Sequence, residues 1–286
     1  MLIDQCIPIM KLCPIDDRNS GNALAVLARG FPEKSESFWA DGLRRILASP
    51  SRRDAEPIGF LMTMGGEDVG IVLTIPGERS GPDGASNLFN LAAWYVDEPH
   101  RWLAPRMLQK VVAQDAVFTD LTPSLAAQAI NPRLGFEILN EGFQVFPLPW
   151  TALRARKQAR VISVDEAKLP DDVRATLDQH ARLGCVVAVL RDGADHHPLI
   201  FSRMTRRHLP GARVILTDSK QLIVDNLAVI SRFLLRNGIL FLLMDANRAD
   251  ATAGGSIPRW SAPTYVKGAA DRNRIDHTYS ELIFLG

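Results

Sequence analysis

Two apolar runs on either side of a glycine pair place the strongest constraint on what this chain can fold into. The runs occupy residues 57–64 and 69–75 and flank Gly65-Gly66, a pattern that predicts a β-hairpin. A third apolar run at residues 87–96 follows a glycine-rich loop and predicts another long strand. A chain with these strands builds a sheet, and its helices must cover the faces of that sheet.

Helical spacing of apolar residues surrounds these strands. Two helices are predicted before the hairpin, and Pro32 separates them because proline disfavours a helical residue before it. The first half then reads strand, two helices, three strands, helix, strand, helix and closing strands. This order indicates an α/β fold, a mixed sheet with helices on its faces. Outside the three strands above, the predicted ranges are 2–13, 23–31, 38–47, 105–113, 116–119, 123–131 and 136–147.

The second half of the chain partly repeats this order. It reads strand, helix, three strands, helix, strand and final strand, with a polar loop at residues 246–274. No repeat of individual residues is visible, so the duplication is inferred from topology alone. The predicted ranges are 160–164, 171–183, 185–190, 198–204, 213–217, 221–235, 239–244 and 278–285.

The length of the chain and a basic segment at its middle predict two domains. The 286 residues exceed the usual size of one domain, roughly 100–200 residues. Residues 150–159 are basic and poor in large aliphatic side chains, which is typical of a linker. We therefore expect a first domain at residues 1–149, a linker at 150–159 and a second domain at 160–286.

Composition argues against several classes of partner. A net charge of +1 gives no reason to expect nucleic acid or an anionic membrane. Charged side chains interrupt the longest apolar stretch, residues 222–244, which predicts a buried helix and strand and not a membrane span. Cys6, Cys13 and Cys185 lack metal-ligand or redox-motif spacing, so we expect a cytoplasmic protein without a metal. The sequence does not decide the oligomeric state.

Three segments of the first half resemble the GNAT superfamily of acyl-CoA-dependent N-acyltransferases. Residues 58–72 resemble its second and third strands, and residues 92–101 resemble the end of its fourth strand and the start of its cofactor loop. Residues 127–136 are similar to its final helix and closing Gly-Phe turn. The resemblance covers about residues 1–147. It implies that acyl-CoA lies along the fourth strand, with its pyrophosphate on backbone N–H groups at the start of the next helix.

The resemblance places the cofactor loop at residues 101–106. The family pattern is R-x-x-G-x-G/A, and here Arg101 keeps the first position while Ala104 replaces the first glycine. Pro105 removes a backbone donor, so Arg101 and Arg106 would bind phosphate through their side chains. In the alternative reading, this segment only begins a helix. The expected cofactor-binding residues are Val96, Arg101, Trp102, Leu103, Ala104, Arg106 and Asn131.

The acid–base residues depart from the family pattern. The resemblance implies a tyrosine four residues before the glycine of the Gly-Phe turn, to protonate the leaving thiolate. That position is Asn131, which cannot donate a proton in this way. Asp120 is the best-placed carboxylate for a general base, and Tyr95 would replace the missing acid. The alternatives are that Asp120 caps the next helix and that Tyr95 is packed.

Two functions of different classes follow from this resemblance. The first is an enzyme that moves an acyl group from acyl-CoA to an amine by direct attack. The alternative is a non-catalytic acyl-CoA-binding or interaction protein, and it rests on Asn131 and on the altered loop at 101–106. The second half has a capping sequence, Thr217–Lys220, where a cofactor loop would stand. We therefore expect the second domain to be degenerate, with the cofactor in the first domain and the second shaping the acceptor pocket.

Alternating polar residues occupy the predicted last strand. His277, Tyr279 and Glu281 are two residues apart and would share one face of that strand. They would line either a cleft or a solvated sheet face.

Overall fold

The structure is a computed structural model, and it describes residues 9–53, 56–81, 84–154, 158–250, 256–268 and 276–286. These residues form two compact units. The first unit comprises the described residues of Met1–Glu137, Tyr265–Ala269 and Tyr279–Leu285. The second comprises those of Ile138–Thr264, Ala270–Thr278 and Gly286. Each unit therefore contains chain from both halves of the sequence.

Strands and helices are numbered along the chain, and the first sheet contains seven strands. They are β1 (Lys11–Pro14), β2 (Gly59–Met64), β3 (Glu67–Gly81), β4 (Gly84–Val96), β5 (Val117–Asp120), β6 (Glu137–Asn140) and β14 (Thr264–Lys267). Their order is β1-β2-β3-β4-β5-β14-β6. The β4–β5 pair is parallel, and the β1–β2, β2–β3, β3–β4 and β5–β14 pairs are antiparallel.

The helices of the first unit lie before the hairpin, after β4, after β5 and near the C-terminus. They are α1 (Ser20–Gly30), α2 (Glu36–Leu47), α3 (Ala104–Val111), α4 (Leu125–Ile130) and α9 (Glu281–Phe284). Two 3-10 helices, Glu98–Leu103 and Asn131–Leu134, precede α3 and follow α4.

The two faces of the first sheet are covered by different helices. Met62 and Val72 belong to a buried apolar cluster with Leu108 of α3. Leu61 and Ile71 are equally buried, and because successive strand residues point to opposite faces, they lie on the face opposite α3. Helix α1 packs on β3 and β4, and α2 packs on α1. The sheet thus has apolar cores on both faces, as expected for an α/β layer structure.

The second sheet has the same strand order as the first. It contains β7 (Gly142–Pro147), β8 (Arg160–Ile162), β9 (Val186–Asp192), β10 (Asp195–Arg206), β11 (Leu209–Leu216), β12 (Phe241–Ala246) and β13 (Ile257–Arg259). Their order is β13-β7-β12-β11-β10-β9-β8, with β11 and β12 parallel. The helices of this half are α5 (Leu148–Thr151), α6 (Asp171–Arg182), α7 (Lys220–Asp225) and α8 (Leu227–Arg236). Leu227, Ile230 and Leu234 of α8 join the core of this sheet.

The two sheets each contain one strand from the opposite half of the sequence. In the first sheet, β14 lies between β5 and β6, and in the second, β7 lies between β12 and β13. The two strands therefore occupy corresponding positions. The division at residues 150–159 stays a prediction about the sequence, because α5 begins at Leu148 and residues 155–157 lie outside the described residues.

The predicted α/β fold with two mixed sheets is confirmed, but the end of the chain differs from the prediction. Residues 278–285 were expected to form a strand, whereas Glu281–Phe284 form helix α9. Tyr279 has a φ of 52°, which interrupts any extended conformation before the helix. A bulky residue rarely adopts this conformation, so the sequence carried no signal for it.

Other differences concern boundaries. The predicted helix at 221–235 is two helices, α7 and α8, because Asn226 leaves the helical conformation between them. The polar loop expected at 246–274 contains β13 and β14, while residues 251–255 and 269–275 lie outside the described residues. The first strand is Lys11–Pro14, and residues 2–8 of the predicted range are likewise not described.

Candidate functional site

Strands β4 and β5 separate at the middle of the first sheet. Their parallel pairing ends at Leu91 on β4 and Asp120 on β5, although β4 continues to Val96. In the part of the chain that the structure describes, no strand pairs with this edge of β4 beyond Leu91. Backbone N–H and C=O groups along an unpaired strand edge can form hydrogen bonds with a ligand. An extended ligand can therefore bind to residues 92–96 in the position of an additional strand.

A bulge in β4 accompanies this separation. Ala93 has a φ of 48°, and the register of β4 against β3 shifts at the same place, between Ile71 and Leu73. Bulges bend a strand and redirect the side chains that follow. Trp94 and Val96 consequently pack in the same apolar cluster as Leu91, although strict alternation from Leu91 would place them on the opposite face.

A cavity of about 280 Å³ lies beside the gap between β4 and β5. It is lined from both faces of the sheet, since Phe38 and Trp39 of α2 and Leu108 of α3 all contribute. Asp120 and Glu281 supply carboxyl groups to the lining. The cavity therefore combines an apolar wall with carboxylates, as small-molecule sites usually do.

Aromatic rings form one wall of this cavity. The ring centroids of Phe31 and Trp39 are 5.3 Å apart, and those of Phe38 and Trp39 are 5.1 Å apart. The ammonium of Lys34 lies 4.5 Å from the centroid of the Phe38 ring. Rings at these separations attract each other, which gives the cavity a stable apolar surface suited to a hydrocarbon group.

Asp120 is the carboxyl group that the sequence singled out, and the structure places it in the cavity. Its side chain is only 7% exposed. Burial raises the pKa of Asp120 to about 6, although hydrogen bonds from the Asn131 amide and the Thr122 backbone N–H lower it. The cap of α4 is Ser124, whose hydroxyl oxygen accepts from the Ala127 N–H at 3.2 Å. Helix capping is thus supplied by another residue, and a carboxyl group with this pKa can exchange a proton near neutral pH.

Helix α9 brings another acidic residue, Glu281, to the cavity. The Glu281 backbone N–H donates to Asn90 Oδ1 at 2.8 Å, and the Thr122 hydroxyl donates to Glu281 Oε1 at 2.8 Å. Leu285 packs so closely on Gly42 of α2 that a side chain at Gly42 would overlap it. Sequence reasoning expected a strand here, and the only signal of this contact was a polar Asn90 within an apolar run.

Tyr95 lies elsewhere in the first unit. Its ring packs on Gly30 and lies 6.0 Å from that of Phe31, and its hydroxyl hydrogen-bonds Asp97. Burial raises the pKa of Tyr95. Tyr95 is not among the described residues that line the cavity, so the structure does not bring it together with Asp120.

The segment expected to hold pyrophosphate is helical. The 3-10 helix Glu98–Leu103 runs directly into α3, and the Ala104 N–H donates to the Arg101 carbonyl. Backbone N–H groups inside a 3-10 helix bond three residues back, and Pro105 has no N–H. The residues present therefore do not form the backbone cradle that the family pattern implies.

Side chains around this segment differ in exposure. Arg101 and Arg106 are exposed, and Trp102 is 73% exposed. Leu103 and Val96 are buried in the apolar core, so only their backbone could contact a ligand. The two guanidinium groups are thus the phosphate donors that this segment offers.

In the second unit, the corresponding gap is occupied by the chain itself. Strands β11 and β12 pair over only three residues each. Beyond this pairing, the His277 N–H donates to the Ile215 carbonyl at 3.0 Å. His277 Nε2 lies 2.7 Å from Asp245 Oδ2, and Arg213 Nη2 donates to both Asp245 oxygens at 2.7 Å. This network occupies the strand edge of the second unit that corresponds to the open edge of β4 in the first unit.

Asp245 corresponds in topology to Asp120. Asp120 pairs with Tyr265 on β14, and Asp245 pairs with Phe143 on β7, the strand in the corresponding position. Burial alone would raise the pKa of Asp245, but the charge of Arg213 and the hydrogen bond from His277 hold this pKa well below its usual range. The two carboxyl groups thus have opposite electrostatic environments, and only Asp120 is suited to exchange protons.

Among the residues that the structure describes, no three His, Cys, Asp or Glu side chains are grouped so that they could hold a metal ion. No described helix has the length and apolar character needed to cross a membrane.

No family model and no curated protein matches the sequence, but solved structures match it over most of its length. A GCN5-related N-acetyltransferase from Anabaena variabilis ATCC 29413 has a TM-score of 0.57 at 13% identity, covering 90% of this chain and 72% of that chain. One from Kribbella flavida has a TM-score of 0.55 at 11% identity, covering 92% and 72%. A tandem GNAT protein from the clavulanic acid biosynthesis pathway has a TM-score of 0.51 at 12% identity, covering 92% and 100%. The chain therefore has the mixed α/β fold of the GNAT acetyltransferases, built as two GNAT-like units, as the resemblance of its first half and the repeated element order of its second half predicted.

Proposed function

We propose that this protein transfers an acyl group from an acyl-CoA to an amine acceptor in the cavity of the first unit. The observation that carries the proposal is Asp120, a buried carboxyl group in that cavity whose pKa is raised to about 6. A base with such a pKa is ionised at neutral pH and still accepts a proton readily. Carboxyl groups whose pKa is raised by burial beside a cavity are concentrated at functional sites.

The first unit offers three surfaces that suit an acyl-CoA donor. The open edge of β4 at residues 92–96 suits the amide-containing pantetheine arm, which can add to it as a strand. Arg101 and Arg106 are the donors for phosphate, in place of a backbone cradle. The aromatic wall around Trp39 suits the apolar part of an acyl group.

The proposed chemistry assigns Asp120 the role of general base. It accepts the proton that the amine loses as the amine nitrogen bonds to the thioester carbon, and the carbon–sulfur bond then breaks to release the thiolate of coenzyme A, which takes a proton from solvent. The predicted role of Tyr95 as proton donor stays a prediction, because its hydroxyl is directed to Asp97.

Donor binding is tested by the melting temperature with coenzyme A, acetyl-CoA and a longer acyl-CoA. A ligand at 100 times its dissociation constant adds about 2.7 kcal/mol to the free energy of unfolding, or about 5–10 °C. We expect this increase for the wild type and a loss of most of it in Arg101→Glu, because the new carboxylate repels phosphate. Arg45→Glu, at another exposed arginine of the first unit, is the matched control and should keep the increase. No increase with any donor at millimolar concentration would refute the proposal, and binding without acyl transfer to any amine would favour the non-catalytic alternative.

One donor molecule is expected to bind per chain. The second unit fills its own strand gap with His277, which leaves no comparable edge for a pantetheine arm in the described residues. Native mass spectrometry or isothermal titration with coenzyme A measures this stoichiometry directly. A value of two donors per chain would contradict the prediction, as would a donor that still binds fully to Arg101→Glu.

A further inference from the structure

Asn131 directly follows α4, and hydrogen bonds and burial fix its position. Its backbone carbonyl accepts from the N–H groups of Gly135 and Phe136, the latter at 3.0 Å. Gly135 has a φ of 82°, a conformation that favours glycine and lets the chain turn back at this point. The Asn131 side chain is fully buried, with 0% exposure. It therefore cannot contact a ligand directly in this conformation, and its role must be exerted through a neighbour.

That neighbour is Asp120. The Asn131 Nδ2 donates to Asp120 Oδ2 at 2.8 Å, a hydrogen bond that is itself buried. Within the described ranges, Asn131 is the side chain that hydrogen-bonds this carboxyl group, and the Thr122 backbone N–H is its other donor. Tyr265 faces Asp120 from the adjoining strand β14 and is 6% exposed. Burial and the charge of Asp120 raise the pKa of Tyr265, so Tyr265 presents a neutral phenol.

We propose that Asn131 is a positioning residue, whose amide orients the Asp120 carboxyl group in the cavity. This inference rests on the proposed function, in which Asp120 is the base. An ionised carboxylate can only accept hydrogen bonds, and the amide N–H supplies one from a fixed direction. A charge-assisted bond of this kind stabilises the ionised form and offsets part of the effect of burial.

The oxygen atom of the Asn131 amide is consistent with the same role. Asn131 Oδ1 is buried and accepts no hydrogen bond from the described residues. A buried acceptor without a partner is costly and calls for an explanation. Once Asp120 has taken a proton from the acceptor, its carboxylic O–H needs an acceptor, and a half-turn of the amide presents Oδ1 to it. Asparagine can thus serve both protonation states of the base, which an apolar residue of the same size cannot.

The test is the pH dependence of kcat/KM for acyl transfer in Asn131→Leu. Loss of the hydrogen bond raises the pKa of Asp120, so we expect the acidic limb of the profile to move upward by about one to two pH units. Asn131→Asp keeps the shape of the side chain but places two carboxyl groups in contact, and its limb should move further upward because both cannot be ionised together. Donor binding, measured by the increase in melting temperature with coenzyme A, should stay as in the wild type.

Tyr265→Phe is the matched control on the opposite side of Asp120. It removes a hydroxyl group near Asp120 without removing a hydrogen bond to it, so its acidic limb should stay at the wild-type pH. If Asp120→Asn abolishes transfer but the acidic limb of Asn131→Leu stays at the wild-type pH, the inference is overturned and the proposed function stays intact. Unchanged transfer in Asp120→Asn would instead overturn the proposed function. Should Asn131→Leu fail to fold, Asn131→Ala, which also removes the hydrogen bond without adding a charge, decides the question by the same profile.

Discussion

Replacing Asp245 by alanine lowers the free energy of unfolding by about 3–5 kcal/mol, because it leaves the buried guanidinium of Arg213 without its counter-charge. The Arg213 side chain is 14% exposed, and its Nη2 donates to both oxygens of Asp245. The lost contact with His277 Nε2 adds to this effect. Urea unfolding at pH 7 measures the change.

The matched control for this prediction is a more exposed hydrogen bond between an aspartate and a histidine in the same unit. Asp218 lies 2.6 Å from His197 Nδ1, but its side chain is 50% exposed. Asp218→Ala should therefore cost less than about 1 kcal/mol. The double replacement Arg213→Met and Asp245→Leu should recover much of the loss, since neither charge is then left alone. A cost below about 1 kcal/mol for Asp245→Ala would show that the network does not hold the unit together.

The same network predicts a pH dependence of stability. Because the folded pKa of Asp245 lies below its unfolded value of about 3.9, its contribution is fully present above that value. The contribution decreases as the pH falls below about 4, where the unfolded chain binds a proton that the folded chain does not. Between pH 7 and pH 3, the wild type should therefore lose more stability than Asp245→Ala does. Equal losses in the two proteins would assign the acid sensitivity to other carboxylates.

The elements predicted correctly depend on residues close together in the sequence. The glycine pair at 65–66 gives the β2–β3 hairpin, and the apolar run before Val96 gives β4, because turn chemistry and hydrophobic period act locally. The exchange of β7 and β14 between the halves depends on which distant strand completes each sheet. A single sequence does not contain that information, because four residues such as Thr264–Lys267 fit either sheet by pattern alone.

The candidate site was predictable to a similar degree. Asp120 could be found because it follows an apolar strand directly. The direction of the Tyr95 side chain could not be predicted, because strict alternation places Tyr95 on the same face as Leu91, whereas the bulge at Ala93 reverses the faces beyond it. The contribution of Glu281 depends on helix α9, which follows a positive φ at Tyr279 that no pattern indicates. Local chemistry thus located the candidate base, and irregular backbone decided its neighbours.

Replacing Asp120 by asparagine should reduce kcat for acyl transfer by about 10²–10⁴-fold, the usual contribution of a general base. The amide has the shape of the carboxyl group but cannot accept the proton of the amine. Asp120 contacts neither Arg101 nor Arg106 in the described hydrogen bonds and ion pairs, so the dissociation constant for coenzyme A should not change. Single-turnover kinetics with acetyl-CoA, together with a binding titration, separates these two quantities.

The same substitution should stabilise the fold, which distinguishes a working base from a structural residue. The folded pKa of Asp120, about 6, lies above its unfolded value of about 3.9, so ionisation of the buried group opposes folding. The wild type therefore loses stability as the pH rises from about 4 to 6, by about 3 kcal/mol at most, and Asp120→Asn should lack this loss. A structural carboxylate would give the reverse result, with lower stability and unchanged transfer in Asp120→Asn. Higher stability at pH 8 together with lost transfer is the pair of results expected when a protein keeps a costly buried charge for its chemistry.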